Sequence, residues 1–300
     1  MGAGQDFKEA MIEMDLLIKA RSALDNFNES VENAPGFTDD IQKILNIIDD
    51  IVLGKEKEQF EKELKQGTKY YRARIINPKD DGNSKTGLGK TIDGKFKGYN
   101  DMNSREPLLG IGGEGRNNIS GVSYLYMASN PETACMEVKS QFADLISLAT
   151  FELREPLKII DFSDDKTFQR EDSKVFGLGL GALFTQLMFR YTEPVKGGNG
   201  YRATQVISDH LRKTGIDGIA YRSFLTPGGI NYTIFNSHPQ KIHFCESKVL
   251  IHKQANHSFW DFNEACEIMS NRNGKWMNWN DDIAKEHKKR LSKRFKVCDE

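Results

Sequence analysis

Arg72 in YYRAR, Arg116 in GEGRNN, Tyr126 in YLYMAS, Glu137 in ACMEVK and Ser223 in AYRSF are polar residues that secondary structure alone does not require. A planar guanidinium donates bidentately to phosphate oxygens, so Arg72 and Arg116 are candidates for holding an anion; for either alone, an exposed or ion-paired arginine is the alternative. A carboxylate such as Glu137 can stabilise developing positive charge, or it can be a solvated helix residue paired with Lys139. Tyr126 can stack on a ring or pack in a core, and Ser223 can hydrogen-bond a ligand or cap a turn. Gln205, on the helix after Tyr201, and Asn231, in GGINYTIF, supply amides able to orient a ligand, and each also suits a structural hydrogen bond.

Familiar cofactor motifs fail on their context. SKTGLGKT (84–91) has Ser84 where a phosphate-binding P-loop needs its first glycine, and no strand precedes it or helix follows it. In FGLGLGALF the spacing of Gly177, Gly179 and Gly181 is wrong for a dinucleotide fingerprint and fits close helix packing. The 6 histidines form no HExxH pattern, and Cys135, Cys245, Cys266 and Cys298 form no Cys-x-x-Cys pair, so no metal site and reduced, mostly structural thiols are expected.

The elements that would position these residues change character near residue 67. Phe7, Met11, Met14, Leu17 and Ile18 share one helical face within 6–25, and Ile41, Ile44, Leu45, Ile48 and Ile51 share another within 38–53, with Thr38 as N-cap and Gly54 as stop. A third, charge-rich segment, KEKEQFEKELKQ, ends at Gly67. Alternation in Tyr70 to Ile76 then predicts a strand, and a long loop runs from Asn77 to Gly121. VSYLYMA, LISLATFEL, LKIIDF, DGIAY, NYTIF and 242–251 read as further strands; a helix opens at Asn130 and Pro131 and runs to about Gln141, with others over 173–190 and 201–213. The pattern is α/β or α+β, without internal repeats. It divides into a small helical N-terminal segment (1–66), a central domain (67–250) and a polar, helical extension (251–300).

Composition bounds the rest. A chain of 300 residues with 38% apolar content makes one or two cored domains, and 42 basic against 43 acidic residues give no excess for non-specific nucleic-acid binding. The basic run KEHKKRLSKRFK (285–296) reads as a solvated helix face. No apolar run approaches bilayer length and the N-terminus lacks a signal-peptide pattern, so a cytoplasmic protein without a membrane partner is expected.

In their order and settings, YYRAR, the GRNN loop, the tyrosine-bearing strand, TACMEV, GYRATQVISDHLRKTGIDGIAYRSF and GGINYTIF resemble the RES domain, over about residues 68 to 247. That resemblance implies an ADP-ribosyltransferase-like mixed sheet and an enzyme that consumes NAD+ as substrate, with no bound cofactor, commonly as the toxin of a bacterial toxin–antitoxin pair. It implies that Arg72 and Arg116 hold the pyrophosphate and that Glu137 steadies the ribose as nicotinamide leaves. Tyr126, Ser223, Gln205 and Asn231 complete the implied substrate site, with Glu137, Arg72 and Ser223 its catalytic core. The chain departs from the family in two ways: Asn117 stands where an aromatic residue usually follows the arginine, and the N-terminal helices and C-terminal tail exceed a minimal toxin of this kind. The expected reaction is glycohydrolysis or phosphorolysis, with inorganic phosphate as a co-substrate in the second case; ADP-ribosyl transfer to a protein and a non-catalytic NAD+ sensor are the alternatives. An antitoxin or regulatory protein is the expected partner, and a homo-oligomer is compatible with the chain.

Overall fold

The computed structural model describes residues 51–55, 57–77, 87–91, 93–163, 201–253 and 259–261, with Gln42, Leu45, Asn46, Ile48 and Asp49 ahead of them. Its strands are β1 (Glu61–Leu64), β2 (Lys69–Ile75), β3 (Gly89–Lys90), β4 (Phe96–Lys97), β5 (Leu125–Ala128), β6 (Leu145–Leu153), β7 (Leu157–Asp161), β8 (Gly218–Arg222), β9 (Ile230–Ile234), β10 (Ile242–His252) and β11 (Phe259–Asp261). Helices are α1 (Lys57–Phe60), α2 (Asp101–Ser104), α3 (Pro131–Glu137) and α4 (Arg202–Lys213), with a π-helical turn at Ile51–Lys55. All strands belong to one 11-stranded mixed sheet in the order β1-β7-β8-β9-β5-β2-β6-β10-β4-β3, with β11 also pairing β10. β7 and β8 are parallel, and the remaining pairs are antiparallel.

The sheet parts in the middle. β5 and β2 share one paired position, Tyr71 with Ala128. By contrast β2 follows β6 from Lys69↔Glu152 to Ile75↔Ile146, and β5 follows β9 from Leu125↔Ile234 to Ala128↔Asn231. Beyond the single bridge the two strands leave a cleft between two well-paired halves.

Alternation along the strands builds a layer on each face. On one, Tyr70 packs edge-on against Tyr232 at 4.8 Å between ring centroids, within a core that includes Leu125, Phe151, Leu157 and Ile234. On the other, Ala134 and Cys135 of α3 pack against Ala73, Ala128, Ile146 and Leu148. Small side chains at Ala73, Ala128 and Ala134 let the helix lie close across the cleft, so α3 joins β2 to β5 where the ladder does not.

Several expected elements differ in extent. The charge-rich segment is helical only at Lys57–Phe60; Glu61–Leu64 is a strand on the sheet edge, where charged side chains stay in water and discourage further pairing. The loop from 77 to 121 contains the short β3–β4 pair and α2. β5 begins at Leu125 because Gly121 and Val122 are drawn back into the loop by bonds to the Gly112 and Ile119 carbonyls. Past residue 251 the chain adds the end of β10 and then β11. The helices read at 6–25 and 173–190, and the tail from 262, lie outside the described residues. Among those described, no helix is long and apolar enough to cross a membrane.

Candidate active site

Tyr71, Arg72 and Ala73 on one side and Tyr126, Met127 and Ala128 on the other line a cavity of 220 Å³ in this cleft. Arg116, Ala134, Glu137, Val138, Tyr221 and Asn231 complete its walls. Five residues singled out in the sequence, Arg72, Arg116, Tyr126, Glu137 and Asn231, therefore meet in one place. Ser223 joins them through a bond to Glu137, while Gln205 lies behind the wall that carries Arg116.

Glu137 is the last residue of α3. Asn130 caps the helix by accepting from the Thr133 N–H at 2.8 Å, and Pro131 occupies the first turn, where its missing N–H is not needed. Ala134, Glu137 and Val138 stand at i, i+3 and i+4 and so face the cavity together. The Glu137 carboxylate accepts through Oε1 from Ser223 Oγ at 2.8 Å and from Asn231 Nδ2 at 2.7 Å. Ser223 Oγ itself accepts from the N–H groups of Leu225 and Thr226, each at 3.2 Å, so its single proton is committed to Glu137. A Cβ on Gly229 would overlap Thr133 Oγ1, which explains how closely the Ser223 loop can lie against α3.

Arg116 projects from a loop that is tied down on every side. Asn118 Nδ2 donates to the carbonyls of Gly113, Ile119 and Val122, at 3.1, 3.1 and 2.6 Å. The Tyr126 hydroxyl donates to Asn118 Oδ1 at 2.7 Å and accepts from the Asn117 N–H at 3.0 Å. Gly115 leaves room for this arrangement, since a Cβ there would overlap Asn118 Oδ1 and stand 2.9 Å from the tyrosine oxygen. From α4, Gln205 Nε2 donates to Glu114 Oε1 and to the Gly115 carbonyl, both at 2.9 Å, and Thr204 Oγ1 donates to the Arg116 carbonyl. The backbone of Arg116 is fixed while its guanidinium has no hydrogen bond among the described residues. Asn117, at the family's aromatic position, turns into the interior and donates to Thr233 Oγ1 at 2.7 Å.

Arg72 bridges the opening between β2 and β5, with Nη1 donating to the Tyr126 carbonyl at 3.2 Å. Its Nε is buried and has no hydrogen-bond partner among the described residues. Burial, reinforced by the neighbouring Arg74, pushes its pKa down to about 10 against the opposing pull of Glu106. A cation kept there at neutral pH still has a buried donor to be satisfied. Burial also raises Tyr126 and Tyr221, so both phenols stay neutral; for Tyr221, Arg116 opposes that rise and Glu137 adds to it.

Tyr71 and Tyr221 are site residues beyond those read from the sequence. Tyr221 lies in β8 two residues before Ser223, which follows the strand's last residue, Arg222, so strand alternation carried one residue past the strand end was the available signal. The Gly115 N–H is turned into the loop, donating to the Asn118 carbonyl at 2.9 Å.

A mixed sheet opened at its centre places two arginines and a hydrogen-bonded glutamate together in one cleft. The RES domain family model matches residues 98–255, just over half of the chain, and the protein belongs to that family. Arg116, Tyr126, Glu137, Gln205, Ser223 and Asn231 lie within the match, and Arg72 precedes it. Among solved structures, the chain is similar to one from the crystal structure of the M. tuberculosis MbcT–MbcA toxin–antitoxin complex. The identity is 13% with a TM-score of 0.38, covering 69% of this chain and 92% of that one. No curated protein matches. Among the described residues, no group of three or more His, Cys, Asp or Glu could hold a metal ion.

Proposed function

We propose that this protein cleaves the nicotinamide–ribose bond of NAD+ and passes the ADP-ribosyl group to a small acceptor, water or inorganic phosphate. The observation that carries this reading is Glu137, held by Ser223 and Asn231 in the same cavity as two arginines with unmet hydrogen-bonding capacity. NAD+ offers matching groups: a pyrophosphate for Arg72 and Arg116, and a ribose whose C1′ becomes electron-poor as the bond breaks. The bonding electrons leave on the nicotinamide nitrogen, neutralising the pyridinium, and the Glu137 carboxylate stabilises the oxocarbenium character left behind. Ser223 and Asn231 act through Glu137 by fixing its orientation. Tyr126, Gln205 and Thr204 act through the loop that aims Arg116.

A small acceptor is favoured over a protein side chain by the residue two before Glu137. Related arginine-specific transferases carry a second carboxylate there to prepare the incoming nucleophile; here Cys135 is buried against β2 and β6. Glu137 is the one carboxylate among the described lining residues. An enzyme that depletes NAD+ must be restrained in the cell that makes it, so an antitoxin or regulatory protein is part of the proposal. The test is to incubate the purified chain with NAD+, measure nicotinamide release and resolve the products by mass spectrometry, with and without phosphate. ADP-ribose in both buffers means hydrolysis, and ADP-ribose 1″-phosphate only with phosphate means phosphorolysis. Label accumulating on protein would establish transfer instead, and no nicotinamide release would overturn the reading.

A further inference from the structure

We infer that the unit this site recognises is the nicotinamide mononucleotide half of the substrate, so the enzyme also cleaves the free mononucleotide. The inference rests on the proposed NAD+ chemistry and deepens it. The cavity encloses 220 Å³. Pockets that bury most of a drug-sized molecule run to about 300–1,000 Å³, and a dinucleotide is larger than such molecules. The cavity is therefore too small to bury the whole of NAD+ and takes at most one half, and Glu137 decides which half, because its carboxylate must stand at the ribose that loses nicotinamide.

Arg72 and Arg116 line the same small space as Glu137. The phosphate they reach is thus the one esterified to that ribose, and the free mononucleotide carries it too. A second cavity, also 220 Å³, lies on the far side of Asn117 and Asn118, is bounded by Leu45, Tyr124, Gln205 and His210, and has no described wall residue in common with the first. Among the described residues it offers no continuation of the cleft for an adenylate group. In the inferred reaction the C1′–N bond breaks with its electron pair going to the ring nitrogen. Water supplies oxygen to C1′ and releases a proton, giving nicotinamide and ribose 5-phosphate.

The experiment compares nicotinamide release by the full chain from NAD+, nicotinamide mononucleotide and nicotinamide riboside. The expected kcat/KM for the mononucleotide is within about tenfold of that for NAD+, with the riboside about 100-fold below the mononucleotide because the arginines lose their phosphate. Arg116→Ala should shrink that second gap to less than about tenfold, since the interaction it measures has lost a partner. Cleavage of NAD+ with the mononucleotide more than about tenfold slower would overturn the inference and leave the proposed function standing. A riboside cleaved as well as the mononucleotide would also overturn it. Release from none of the three would end the proposed function and the inference together.

Discussion

At the end of α3, Glu137 holds its charge where the terminal helix carbonyls are electronegative, an unfavourable place for a carboxylate. The donors from Ser223 and Asn231 offset that repulsion and fix the rotamer. Glu137→Gln should therefore lower kcat by about 10²-fold or more, because transition-state electrostatics are lost while size is kept. Normal turnover by a folded glutamine variant would remove Glu137 from the chemistry. Ser223→Ala deletes one of the two donors and should cost about tenfold in kcat with KM little changed. The proposed role of the arginines is in binding: in the Glu137→Gln background, Arg72→Ala and Arg116→Ala should each weaken NAD+ affinity by about 1–3 kcal/mol, measured calorimetrically. Arg72 adds a pH signature. Its folded-state pKa of about 10 lies below the ordinary arginine value. The cation, and with it the anion affinity, is present below that value and is lost as pH rises through it. Affinity in the same background should hold level up to about pH 9 and fall above pH 10, and the Arg72→Ala variant should lose that dependence.

The loop carrying Arg116 is placed by α4, which makes the clamp testable without touching the cavity. Gln205→Ala removes bonds to Glu114 and the Gly115 carbonyl, so KM for NAD+ should rise about tenfold while kcat stays within about threefold. An unchanged KM would show that Thr204, Asn118 and Tyr126 hold the loop unaided. The amide of Gln205 was visible in the sequence as a group able to orient a ligand, but what it holds is the Glu114 carboxylate and the Gly115 carbonyl of a loop far away in the chain. The strands LISLATFEL and LKIIDF were legible because alternation and apolar runs are local properties, and β6 and β7 occupy those stretches. The end of α3 was not. The helix stops at Glu137 because Lys139 takes a left-handed conformation with φ 49, a role glycine usually announces and lysine does not. That early stop matters, since it leaves Glu137 at the helix end, facing Ser223 and Asn231. The Glu61–Leu64 strand was equally hidden: its composition suits a helix, and only pairing with β7 decides otherwise.

Across the whole molecule, the site depends on a sheet whose halves separate at the β2–β5 bridge, and no stretch of sequence records that separation. The residue types could be read in advance from their resemblance to the RES domain; the cleft that unites Arg72 with Glu137 is a product of topology. The cellular consequence of the proposed reaction is a drain on NAD+, because an enzyme of ordinary turnover, about 10 s⁻¹, would remove it continuously from every cell that contains it. Induced expression of the full chain in a bacterium should therefore arrest growth, with the NAD+ pool falling before the growth rate does. Glu137→Gln, expressed to the same level, should leave both unchanged, and so ties the arrest to the carboxylate rather than to the burden of expression. A partner that occupies the cleft should restore growth and NAD+ together. Arrest by the glutamine variant would point to a toxicity independent of NAD+ cleavage. Harmless expression of wild-type protein that is active once purified, in cells lacking any such partner, would instead mean that the enzyme is gated from within its own chain.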